Sequence, residues 1–87
     1  MDGVYALVIA GGRGVRFWPL SRRKKPKQCL RLGEGDAALV ETVKRLAPII
    51  PVERILVATG KEMEHSVRSL LPQIPAENII VEPSGRN

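Results

Sequence analysis

The chain has one cysteine, Cys29, in 87 residues. That excludes an internal disulfide and any multi-cysteine zinc site, and it suits a reducing compartment. Aromatic residues are equally scarce: one Phe, one Tyr and one Trp. Three rings are too few for a base-stacking platform on nucleic acid, and no nucleic-acid-binding motif is present. No apolar run approaches the roughly 18–20 residues that a membrane-spanning helix needs. The start, MDGVYALVIAGG, puts no basic segment before its apolar one, so it does not read as a signal peptide. These absences together predict a soluble cytoplasmic protein. There are no internal repeats, low-complexity segments or linkers. A chain this short makes at most one small domain, and such a domain buries only roughly 60–65% of its unfolded surface.

One further absence is local. Between Gly3 and Gly33 there is no Asp or Glu, while eight of the 14 Lys and Arg lie between Arg13 and Arg31. Beyond Gly33 the charges nearly balance. The net charge of +5 therefore describes a segment and not a whole surface. Concentrated positive charge of this kind attracts nucleotides, sugar phosphates or nucleic acid. A solvated basic loop is the plainer reading of the same residues.

Hydrophobic patterning supplies the frame. Tyr5–Ala10 is a continuous apolar run closed by Gly11-Gly12, as in a strand buried on both faces. Residues 11–28 read as a long loop, because Pro19 and Pro26 both resist helix. Residues 28–32 suit a short extended piece. Asp36 is placed to cap a helix over about 37–47, with Leu39, Val40, Val43, Leu46 and Ala47 on one face. Residues 54–59 read as a second buried strand. Thr59 and Glu62 have capping-box spacing for a helix over about 61–71, facing inward through Met63, Val67, Leu70 and Leu71. His65 falls on its polar side. Residues 78–82 read as a third strand.

The order β-loop-α-β-α-β gives an α/β fold: the start of a Rossmann-like, doubly wound parallel sheet, incomplete within these residues. If the three strands lie in the order 3-2-1, right-handed crossovers put both helices on one face. The other face of all-apolar strands is then bare, which a parallel sheet does not tolerate well. The expectation is self-association, or completion by a missing remainder of the domain.

Gly11, Gly12 and Gly14 directly follow a buried strand. Glycine lets a phosphate approach main-chain N–H groups, and open parallel sheets bind ligands beyond the carboxyl ends of their strands. A tight turn without a ligand is the alternative. Two familiar phosphate motifs fail. No Gly-Lys-Ser/Thr exists for a P-loop. Gly12-Arg-Gly14-Val-Arg-Phe17 lacks the third glycine of the dinucleotide fingerprint, and Pro19 denies it the immediate helix. What remains is glycines with Arg16 and Lys27. A guanidinium grips phosphate oxygens bidentately and an ammonium acts as a compact charge, a pair suited to phosphoryl or nucleotidyl transfer. Trp18 reads as an anchor for the loop.

With those residues in view, AGGRGVRFWPLSR followed by PKQ resembles the signature of the sugar-phosphate nucleotidyltransferase family. The RFWPLSR form, ETVKRL and the closing EPSGRN resemble its mannose-1-phosphate guanylyltransferase (GDP-mannose pyrophosphorylase) branch. The resemblance covers essentially the whole chain as an N-terminal, nucleotide-binding portion, residues 1–87. It implies GTP and mannose 1-phosphate as substrates, GDP-mannose and pyrophosphate as products, and Mg²⁺ as cofactor. It implies catalytic roles for Arg16 and Lys27, and triphosphate contacts for Gly11, Gly12, Arg13 and Gly14. It implies guanine recognition by Glu82, with Gly85, Arg86 and Asn87 completing the pocket. Cys29 stands where this branch often carries Phe, a packing change, and Ala38 where Ser or Thr is common. The family's metal-binding aspartates lie beyond position 87, so no metal ligand is assigned here and no turnover is expected from these residues alone. The alternatives are a relative using UTP or dTTP with another sugar 1-phosphate, or a non-catalytic nucleotide-binding or assembly fragment.

Overall fold

The computed structural model describes residues 4–11, 14–21 and 30–82. They form a five-stranded sheet with two helices. The strands are β1 (Val4–Gly11), β2 (Gly14–Ser21), β3 (Leu30–Gly33), β4 (Ile55–Gly60) and β5 (Ile79–Glu82). Helix α1 (Gly35–Leu46) joins β3 to β4, and α2 (Glu64–Leu70) joins β4 to β5. The sheet order is β3-β2-β1-β4-β5. β1, β4 and β5 are parallel neighbours, the expected 3-2-1 order of the three buried-type strands.

Over residues 14–21 a strand forms where a long loop over residues 11–28 was expected; residues 12–13 and 22–28 of that loop lie outside the described residues. β2 pairs antiparallel with β1 along its whole length, from Gly11 opposite Gly14 to Val4 opposite Ser21. β3 then pairs antiparallel with β2. The α/β sheet is therefore mixed rather than purely parallel. Pro19 excluded helix but did not exclude strand. Among the described residues the last β2–β3 pair is Phe17 with Leu30, so no described strand pairs with Pro19 on that side.

Gly14 has φ of +120°, and a Cβ there would stand 2.7 Å from the Gly33 carbonyl oxygen. Only glycine meets both conditions without strain. Helix α1 carries Asp36 in its first turn and Lys44 and Arg45 in its last, complementing the helix dipole at both ends. Asp36 is thus inside the helix; Glu34 holds the N-cap position, without a side-chain hydrogen bond. The expected Thr59–Glu62 capping box is also absent. A short 3₁₀ turn, Lys61–Met63, precedes α2, and Gly60 stands at its start. The Asn78 amide donates to the carbonyls of Glu53 and Ile55 at 3.0 and 3.1 Å, tying the entry of β5 to that of β4.

One core holds this together. Ala6, Val8, Ala10, Val15, Ile55, Val57 and Ile79 point to one face of the sheet, where Leu39 and Val43 of α1 and Val67 and Leu71 at α2 meet them. Both helices therefore lie on the same face. At roughly 1.5–3 kcal/mol per fully buried aliphatic side chain, this face carries the bulk of the stability.

Candidate functional site

Alternation in the strands decides what the other face presents. In register across β2, β1, β4 and β5, the row Arg16–Ile9–Ala58–Ile80 lies on the helix-free side, with Trp18–Leu7–Leu56 behind it. Towards the carboxyl edge of the parallel strands, Gly14 pairs with Gly11 and Gly60 with Glu82. Three adjacent strands thus offer glycine at their ends, and the fourth offers a carboxylate. Three strand spacings of about 4.8 Å make this floor roughly 14 Å long. A Cβ placed on Gly11 would meet nothing within 4 Å, so the floor is open at its centre.

Two cavities border the floor and share Ala10, Gly11 and Met63. One, of about 210 Å³, extends towards the start of α1 and is also lined by Gly14, Glu34 and Asp36. The other, of about 180 Å³, extends along the strand ends past Thr59, Gly60, Glu62 and Glu82. Thr59 is 3% exposed, and its hydroxyl is the one buried side-chain oxygen or nitrogen without a hydrogen-bond partner among the described residues. Glu62 curls back so that its carboxylate oxygens stand 3.3 Å from where a Gly60 Cβ would be.

Of the residues expected from the sequence, the structure brings Gly11, Gly14 and Glu82 to this edge. Arg16 stands two residues behind Gly14 on the open face, exposed and with no hydrogen-bond or ion-pair partner among the described residues. Its side chain is long enough to reach the edge. Gly12, Arg13, Lys27, Gly85, Arg86 and Asn87 lie outside the described residues, as do Cys29 and Pro26. His65 is exposed on α2, and Trp18 packs in the sheet opposite Leu7. Thr59, Gly60 and Glu62 were missed as crevice residues. The signal available was positional: they follow the second parallel strand, where α/β sheets bind ligands.

The described lining of the two cavities includes four carboxylates, those of Glu34, Asp36, Glu62 and Glu82. Among the described residues no group of three or more His, Cys, Asp or Glu could hold a metal ion. No described helix is long and apolar enough to cross a membrane.

The structure is thus an α/β fold with a glycine-floored crevice at the carboxyl ends of its parallel strands and an arginine behind it. Residues 5–87 match the model of the nucleotidyl transferase family, and the chain belongs to that family. It is 41% identical to a mannose-1-phosphate guanylyltransferase of Escherichia coli over 83 residues, covering 93% of this chain and 17% of that protein. It is 36% identical to a mannose-1-phosphate guanylyltransferase of Salmonella muenchen over 93 aligned positions, covering 100% of this chain and 19% of that protein. It is 37% identical to the alginate biosynthesis protein AlgA of Pseudomonas aeruginosa, covering 93% and 17%. The chain thus spans less than a fifth of the length of these relatives. No solved structure matches it. Members of the family generally use a divalent metal.

Proposed function

We propose that residues 1–87 are the N-terminal, triphosphate-binding part of a guanylyltransferase domain that makes GDP-mannose. In the reaction, a phosphate oxygen of mannose 1-phosphate attacks the α-phosphorus of GTP. The bond between the α-phosphorus and its bridging oxygen breaks, and pyrophosphate leaves with that oxygen. Catalysis of such a step is mostly positioning and neutralisation of negative charge.

The observation that carries this reading is the glycine floor of Gly11, Gly14 and Gly60, bounded by Arg16 behind and Glu82 at its end. The floor admits phosphates close to the main chain at Gly11, Gly12 and Gly14, with Arg13 contributing a further donor. Arg16 binds the departing pyrophosphate, and Lys27 bridges the reacting phosphates. The Glu82 carboxylate accepts from guanine N1–H and N2–H₂, a pair of donors that adenine and uracil do not present in that arrangement. Gly85, Arg86 and Asn87 close the nucleotide pocket. Mg²⁺ is the cofactor of this reading, and no step is assigned to it.

The test is equilibrium binding of GTP, ATP and UTP to the chain, followed by turnover with GTP, mannose 1-phosphate and Mg²⁺. GTP binds in preference to the other two, Arg16→Ala weakens it about tenfold or more, consistent with loss of a charge-assisted phosphate contact, and no GDP-mannose forms. Preference for UTP assigns the chain to a different sugar-nucleotide branch. Binding of none of the three overturns the reading.

A further inference from the structure

We infer that the Glu62 carboxylate takes the ribose diol of the bound nucleotide, and so makes the crevice select ribonucleotides over 2′-deoxynucleotides. The inference rests on the nucleotide reading of the crevice and adds to it a residue and a specificity.

The end of β4 runs Ala58-Thr59-Gly60, with no acid in the strand itself. The fold brings one back. The chain turns at once into the 3₁₀ segment Lys61–Met63, and Glu62 folds over the strand end. Its carboxylate oxygens stand 3.3 Å from where a Gly60 Cβ would be, so glycine leaves the space in which the carboxylate sits. Gly60 lies two residues beyond Ala58, which shares a row with Ile9, Ile80 and Arg16. By strand alternation that space is on the helix-free side, the side of Arg16 and Glu82. Glu62 is exposed and lines the cavity of about 180 Å³ that also borders Gly11, Gly60 and Glu82. It has no hydrogen-bond or ion-pair partner among the described residues. Its acceptor oxygens are therefore open to a ligand.

The connectivity of a nucleotide decides which group falls here. Phosphate, ribose and base follow one another, and the floor offers three stations in that order. Gly11 and Gly14 with Arg16 suit the phosphates, and Glu82 suits the base. Gly60 lies between them, paired with Glu82 at one strand spacing, roughly 4.8 Å. A sugar whose base sits at Glu82 thus lies over Gly60, against Glu62. A carboxylate has an acceptor oxygen for each hydroxyl of a cis-diol, and its charge strengthens both bonds. Dinucleotide-binding sheets use an acid beyond their glycine-rich turn for the ribose 2′-hydroxyl; here the acid comes from the turn that follows β4. Charge also sets the direction of the nucleotide. A phosphate over Gly60 would meet two carboxylates, whereas over Gly14 it meets Arg16.

Equilibrium binding of GTP, 2′-deoxy-GTP, UTP and 2′-deoxy-UTP to the chain and its variants tests this. Each ribonucleotide is expected to bind about tenfold tighter than its deoxy partner, as loss of a charge-assisted hydrogen bond requires. Glu62→Ala brings that ratio close to one by weakening the ribonucleotide, and leaves the deoxynucleotide unweakened. Glu62→Gln keeps one acceptor oxygen and retains part of the ratio. A merely structural role would weaken both members of a pair equally. Glu82→Ala lowers the preference for GTP over UTP and leaves the ribose ratio unchanged. A ratio near one in the unaltered chain, or a ratio that survives Glu62→Ala, overturns the inference, while preference for GTP keeps the guanine reading. Preference for UTP overturns the guanine reading alone, and the UTP pair then decides the role of Glu62. Binding of none of the four overturns both.

Discussion

The two faces of this sheet come from the same strands and differ by one residue in register, yet they have opposite fates. Val57 is fully buried under the helices, while its neighbour Leu56 points to the helix-free side and is half-buried. Ile79 is 6% exposed and Ile80 is 45% exposed. Composition does not separate the two faces, since both are apolar. The position of the helices does. A run of consecutive apolar residues is the pattern of a strand covered on both faces, and the two described crossover helices cover only one of them.

The largest expected effect tests that difference directly. Val57→Asp buries an unpaired carboxylate among Ala6, Val8 and the helices, which costs more than a small domain's whole stability of about 5 kcal/mol. The chain is expected to lose its cooperative thermal transition by circular dichroism. Leu56→Asp, one residue away, places the charge on the open side and shifts the transition by about 1 kcal/mol or less. Equal damage from both would mean that the second face is already covered.

A smaller effect sharpens the comparison at the carboxyl edge. Gly14→Ala forces a side chain onto φ of +120° and into the Gly33 carbonyl, and is expected to cost about 1–3 kcal/mol in denaturant unfolding. Gly11→Ala meets nothing within 4 Å and is expected to leave folding within about 0.5 kcal/mol. If Gly11 is floor for a ligand, the same variant weakens GTP binding while leaving stability intact.

The smallest concerns the polar exception on the helix-covered face. Thr59→Val removes a buried hydroxyl that has no partner and keeps the side-chain shape. It is expected to raise stability by about 1 kcal/mol, measured as a higher unfolding midpoint. A loss of stability would show that the hydroxyl is satisfied in the folded protein.

The parallel strands and both helices were legible because their patterns are long and consistent. Leu39, Val43, Val67 and Leu71 recur at helical spacing, and all four are buried. The helix starts were less so. Asp36 and Thr59 both look like caps, but in the structure glycine-containing turns begin the helices and Asp36 serves inside the first turn. β2 was misread because its proline and glycines outweigh its alternation. Val15 is buried and Arg16 exposed, a period of two that favours strand. A two-residue connection that begins with glycine, between Gly11 and Gly14, is also a hairpin signal. For the site, the sequence singled out Gly11, Gly14, Arg16 and Glu82. It did not single out Gly60, Thr59 or Glu62, whose importance comes only from lying across the strand ends.

By itself the sequence determined the α/β class, the family and the charged glycine-rich segment, because these depend on local pattern and on residue types at short spacing. Only the tertiary structure decided that Arg16 shares a face with Ile9 and Leu56, that three glycines from three strands line up into one floor, and that both described helices pack on one face of the sheet. Those facts depend on strand pairing and register, which join residues far apart in the chain. In a sheet, a one-residue shift sends every side chain to the opposite side.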